Sequence, residues 1–154
     1  MERKEFLRSI GASAAFAVLF PCTSGCSSNR REAEDLDTFD EPSGVDFVID
    51  LTNPDYSALD ANGGFVLVMS NSSDGFTDIV VARNLEGELV AASQICSHQQ
   101  TDNVRFISDD GGIFFCSTHG SRFDQSGTPL NTITNNPLKV FNTTLEGDTL
   151  RIFE

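Results

Sequence analysis

From Val45 onward the apolar residues fall in short runs separated by Gly, Asn, Asp and Pro, and no run carries a sustained helical period. Val45-Asp46-Phe47-Val48-Ile49-Asp50-Leu51 contains an alternating stretch, as a half-buried strand requires. Phe65-Val66-Leu67-Val68-Met69 is unbroken and fits a buried strand. Ile79-Val80-Val81-Ala82-Arg83 and Leu89-Val90-Ala91-Ala92 flank a turn at Glu86-Gly87. Ile113-Phe114-Phe115 runs straight into Cys116. Leu138-Lys139-Val140-Phe141 and Thr149-Leu150-Arg151-Ile152-Phe153 flank a turn at Glu146-Gly147-Asp148. Short strands at this density predict an all-β domain over residues 45–154, a sandwich or a barrel.

The pattern upstream differs. Arg3, Lys4 and Arg8 precede an apolar run from Ile10 to Phe20. At 1.5 Å per residue that run reaches only about half of a ~30 Å hydrocarbon core, so it reads as an export signal rather than a spanning helix. Arg3-Lys4-Glu5-Phe6-Leu7 resembles a twin-arginine export motif with lysine in the second position, and general secretion is the other route. Thr23-Ser24-Gly25-Cys26 resembles a bacterial lipobox, which makes Cys26 the expected point of lipid attachment to a membrane. Without lipidation, Cys22 and Cys26 belong to a discarded secretory signal. Residues 1–26 are therefore assigned to export. Residues 27–44, polar and rich in acids from Glu32 to Glu41, are assigned to a flexible linker. The expected location is the periplasm or the outer face of a bacterial membrane.

Composition narrows the function. The formal net charge of −13 would repel phosphate backbones and excludes nucleic acid as a partner. The chain has two histidines and four cysteines; beyond Cys22 and Cys26, all of them stand in two groups. Cys96-Ser97-His98 is the first and Cys116-Ser117-Thr118-His119 the second. Two thiolates and two imidazoles can hold one structural Zn²⁺, or a [2Fe–2S] unit in which two histidines replace two cysteines on one iron.

The residues around these groups favour the second. Ile95-Cys96-Ser97-His98 and Cys116-Ser117-Thr118-His119-Gly120-Ser121-Arg122-Phe123-Asp124 resemble the two cluster-binding loops of the Rieske iron–sulfur proteins. The resemblance implies small antiparallel sheets carrying a two-loop cluster-binding subdomain. It implies one [2Fe–2S] cluster, with Cys96 and Cys116 on the buried iron and His98 and His119 on the outer one. It also implies that Ser121 donates a hydrogen bond to a cluster sulfur. Phe123 fills the position of a tyrosine that does the same in high-potential members, and Thr101 and Thr118 fill the positions of their loop-tying disulfide. Gln100 replaces a glycine of the first loop. Thr132-Ile133-Thr134, before Pro137-Leu138, stands where a Gly-Pro-containing third loop covers the cluster. Fewer donors to the sulfurs imply a potential low for the class, within a range of about −150 to +300 mV.

The expected function is one-electron transfer between redox partner proteins, by an electron carrier or a redox subunit rather than a stand-alone enzyme. A Rieske subunit of a larger periplasmic oxidoreductase or bc-type complex is the alternative. A zinc-binding surface lipoprotein is a further one. A ring-hydroxylating oxygenase needs two more histidines and a carboxylate for a mononuclear iron, and both histidines of this chain are already assigned.

Overall fold

The computed structural model describes residues 39–154. The expected export signal, Cys22, Cys26 and the linker up to residue 38 lie outside the described residues. Among the described residues nine strands form two antiparallel sheets, as the short apolar runs predict. The larger takes β1 (Asp46–Asp50), β9 (Thr149–Phe153), β8 (Val140–Glu146), β4 (Leu89–Ser93), β3 (Ile79–Arg83) and β2 (Phe65–Val68), in that spatial order. The smaller takes β5 (Val104–Ile107), β6 (Ile113–Cys116) and β7 (Ser121–Phe123).

The unbroken apolar runs lie where the large sheet is covered on both faces. Along β3, Ile79 and Val81 enter one core with Leu59, Leu150 and Ile152. Val80 and Ala82, one residue out of phase, enter a second core with Phe106, Phe114 and Phe123 of the small sheet. Side chains alternate across a strand, so a strand with two buried faces must be apolar at every position. Phe106 and Phe114 meet edge to face with ring centroids 5.6 Å apart. Burying each such side chain stabilises the domain by roughly 1.5–3 kcal/mol. The second core thereby fixes the small sheet, and both Cys/His loops, onto the large one.

Several elements differ from the sequence expectation. β5 and β7, which the apolar runs did not mark, are short and carry Arg105 and Arg122 at half-exposed positions between buried neighbours. β8 begins at Val140 and runs to Glu146; Leu138, expected within that strand, instead plugs the second core from a loop. Met69 lies past the end of β2 and is 55% exposed. A 3-10 helix at Pro54–Asp60 starts from Asn53, whose side chain accepts the Asp55 N–H at 3.0 Å.

The expected linker boundary at residue 44 also moves. Phe39 donates its N–H to the Gln100 carbonyl at 2.9 Å and its ring lies 5.1 Å from that of Phe76. Lys139 Nζ reaches the carbonyl of the buried Pro42 at 2.7 Å. The acids of this stretch hide two apolar anchors, Phe39 and Pro42, so the chain is docked on the domain from Phe39.

Candidate metal centre

Both Cys/His groups sit at the edge of the small sheet. The first follows β4 and is closed on itself. Cys96 N–H donates to the Thr101 carbonyl at 2.8 Å, and Gln100 N–H returns to the Cys96 carbonyl at 2.8 Å. Gln100 adopts φ +53°, the left-handed region in which a glycine costs least. The second group is the β6–β7 connection, where Cys116 pairs with Ser121. Gly120, at φ +80°, closes it by donating its N–H to the Cys116 carbonyl at 2.9 Å.

The segment after β7 braces both loops. Asn131 Nδ2 donates to the Gly120 carbonyl at 2.8 Å, and Ser97 Oγ donates to the Asn136 carbonyl at 2.9 Å. Ile133 packs toward Gly120, its Cδ1 3.7 Å from where a Cβ would stand. A segment without the Gly-Pro pair thus still spans from one loop to the other.

The four candidate ligands stand as two pairs. Cys96 and Cys116 are buried side by side. The neighbouring thiol, followed by burial, pushes Cys96 up; the same neighbour draws Cys116 down against its own burial. The Thr118 N–H and the Thr101 hydroxyl add to the pull on Cys116, and the His98 N–H and Ser121 hydroxyl oppose the rise at Cys96. His98 and His119 face each other edge to face, ring centroids 5.0 Å apart. His119 is exposed and His98 half-buried. Among the described residues, no three His, Cys, Asp or Glu side chains are gathered closely enough to hold a single ion.

Two buried polar atoms lack a partner here, His98 Nδ1 and Ser121 Oγ. Ser121 Oγ lies near enough to the Cys96 sulfur to favour its thiolate, yet outside hydrogen-bonding geometry. A buried polar group left unpaired costs about 1–3 kcal/mol. An unpaired imidazole nitrogen and an unpaired hydroxyl near sulfur are what a group carrying iron and sulfide would satisfy.

The family model for the Rieske [2Fe-2S] domain matches residues 62–142 and takes in all five of these side chains. This chain belongs to the Rieske family. A Rieske domain binds one [2Fe–2S] cluster and carries electrons. No curated protein matches the sequence. Among solved structures, the ferredoxin of carbazole 1,9a-dioxygenase from Nocardioides aromaticivorans is 21% identical, covers 60% of this chain and 86% of its own, and gives a TM-score of 0.49. The ferredoxin of Sphingomonas yanoikuyae is 23% identical, covering 61% and 88%, with a TM-score of 0.46. The plasma membrane Rieske protein of the cyanobacterium Synechocystis is 23% identical, covering 49% and 76%, with a TM-score of 0.43.

The Rieske domain also holds residues that spacing did not single out. Thr101 Oγ1 and Thr118 Oγ1 are 2.9 Å apart, Asn103 Nδ2 is 3.1 Å from Thr118 Oγ1, and Thr101 Oγ1 is 3.8 Å from Cys116 Sγ. Two threonines at the positions of the missing disulfide were the only signal in the sequence. Asn103 gave none. Asp124 is a turn residue, as its type predicts, accepting hydrogen bonds from Ser126 and Thr128.

Proposed function

We propose that Cys96 and Cys116 hold the inner iron of the cluster and His98 and His119 the outer one, in a one-electron carrier of low potential for its class. The observation that carries this reading is the arrangement in two pairs, neighbouring buried thiols and facing imidazoles, with His119 exposed. When bound, the cluster supplies a reversible one-electron couple. The protein's own groups do the rest. The second core and Cys96–Cys116 burial keep water from the inner side. The His98 N–H and Ser121 hydroxyl beside Cys96, with the Thr118 N–H beside Cys116, favour added negative charge at the sulfurs. His119 offers the exposed edge through which a redox partner protein is reached.

We further propose that the protein is exported by its first 26 residues, lipid-anchored through Cys26, and held to the membrane surface by a tether that ends at Phe39. The signal-like start, the lipobox-like Thr23-Ser24-Gly25-Cys26 and the acidic stretch support this reading.

The deciding experiment is expression of residues 30–154 followed by iron, zinc and acid-labile sulfide analysis, with visible spectra before and after dithionite. Iron and sulfide in equal amounts with a bleachable spectrum is the expected result. Zinc without sulfide would overturn the electron-carrier reading. For the anchor, full-length protein should fractionate with membranes and Cys26→Ser should not. Equal fractionation of the two would remove the lipid.

A further inference from the structure

The hydroxyl network beside Cys116 can bring a proton to the sulfur. Asn103 Nδ2 can only donate, so Thr118 Oγ1 accepts from it at 3.1 Å. Thr118 has one proton, and Thr101 Oγ1 lies 2.9 Å away to receive it. Thr101 is buried, with 6% of its surface exposed, and its own proton then has one acceptor left within reach, the Cys116 sulfur at 3.8 Å. In the reverse order Thr118 Oγ1 would accept twice and Thr101 would bring no proton to the sulfur. A hydroxyl oxygen can accept twice, so proton counting permits both orders; only the forward one makes Thr101 a donor to the Cys116 sulfur.

We propose that Thr101 is a positioning residue for electron transfer, donating to the Cys116 sulfur through a relay oriented by Asn103 and Thr118, and so raising the cluster's midpoint potential. The proposal rests on the reading of Cys116 as a cluster ligand. Phe123 has no hydroxyl to offer the sulfurs, and Thr101 supplies one from the opposite loop. A hydrogen bond to a thiolate strengthens as electron density on it rises, so it favours the reduced form. The two threonines also join the loops, doing by hydrogen bonding what a covalent bridge would do at those positions.

The test is the midpoint potential of cluster-loaded protein, with iron and sulfide measured in every sample. Thr101→Val, which removes the hydroxyl and keeps the shape, should lower the reduction equilibrium about tenfold, about 59 mV for one electron. Thr101→Ser, which restores the donor, should return the potential to that of the wild type. Asn103→Leu, which touches neither cysteine, should lower it by less. Thr101→Val at the wild-type potential with full iron and sulfide overturns the proposal. If Thr101→Val takes up no cluster, Asn103→Leu decides, and an unchanged potential there overturns it equally. Wild-type protein without iron and sulfide would instead sink the ligand reading beneath it.

Discussion

Phe39 and Gln100 are joined backbone to backbone: the Phe39 N–H donates to the Gln100 carbonyl at 2.9 Å. Phe39, the first of the described residues, is thereby attached to the loop that carries Cys96 and His98. The Phe39 ring, against Phe76, supplies the apolar contact that holds this bond in place. Phe39→Ala should cost about 1 kcal/mol, lowering the thermal midpoint by about 4 °C. It should also speed bleaching of the cluster by a chelator. Identical melting and bleaching in protein beginning at residue 38 and at residue 45 would show that this segment is only a spacer.

Gln100 itself is held at φ +53° by the turn it closes. A side chain in the left-handed region costs roughly 1–2 kcal/mol, against about 0.5–1 kcal/mol for the extra freedom a glycine loses on folding. Gln100→Gly should therefore raise stability slightly, by up to about 1 kcal/mol, and Gln100→Val should lower it by more than about 1 kcal/mol. Urea denaturation of the two variants checks both signs. A more stable valine variant would mean that the turn relaxes out of this conformation.

Ser121 should show opposite effects with and without the cluster. Its hydroxyl is buried and unpaired beside the Cys96 sulfur. Ser121→Ala removes that unpaired group, so the iron-free protein should be as stable as the wild type or more so, by up to about 1–3 kcal/mol. The loaded protein should have a lower midpoint potential, because a donor to sulfur is gone. Unfolding of the iron-free form and redox titration of the loaded form give the two readings. An unchanged potential would remove Ser121 from the cluster's surroundings.

Asp124 makes the turn after β7 sensitive to acid. Burial alone would raise its carboxyl, but hydrogen bonds from the Ser126 hydroxyl and from the Thr128 and Ser126 N–H groups outweigh it and hold the value below the ordinary 3.8. The folded form prefers the carboxylate, so the stabilisation is complete above pH 3.8 and is lost as pH falls through the lower folded value. Asp124→Asn should cost about 0.5–1 kcal/mol at neutral pH, a figure already reduced for solvent screening. The difference from wild type should shrink once the pH is taken below 3.8. Urea melts in both pH ranges check it, and a constant difference would place the effect in packing rather than charge.

The sequence by itself determined the family and most of the sheet. Cys96, His98, Cys116 and His119 are legible because the turns that present them are local, and local geometry is written in spacing. The runs at Phe65–Val68 and Ile79–Arg83 are legible because a strand covered on both faces has no room for a polar side chain. What only the tertiary structure decided are relationships between distant segments. β5 and β7 are strands because β6 lies between them, despite Arg105 and Arg122. Leu138 is a core residue because a gap in the second core meets a loop there. Thr101 meets Thr118, and Phe39 meets Gln100, only after the sheets have packed. Hydrogen bonds and contacts made across the fold depend on where two chain segments arrive, which no local pattern encodes.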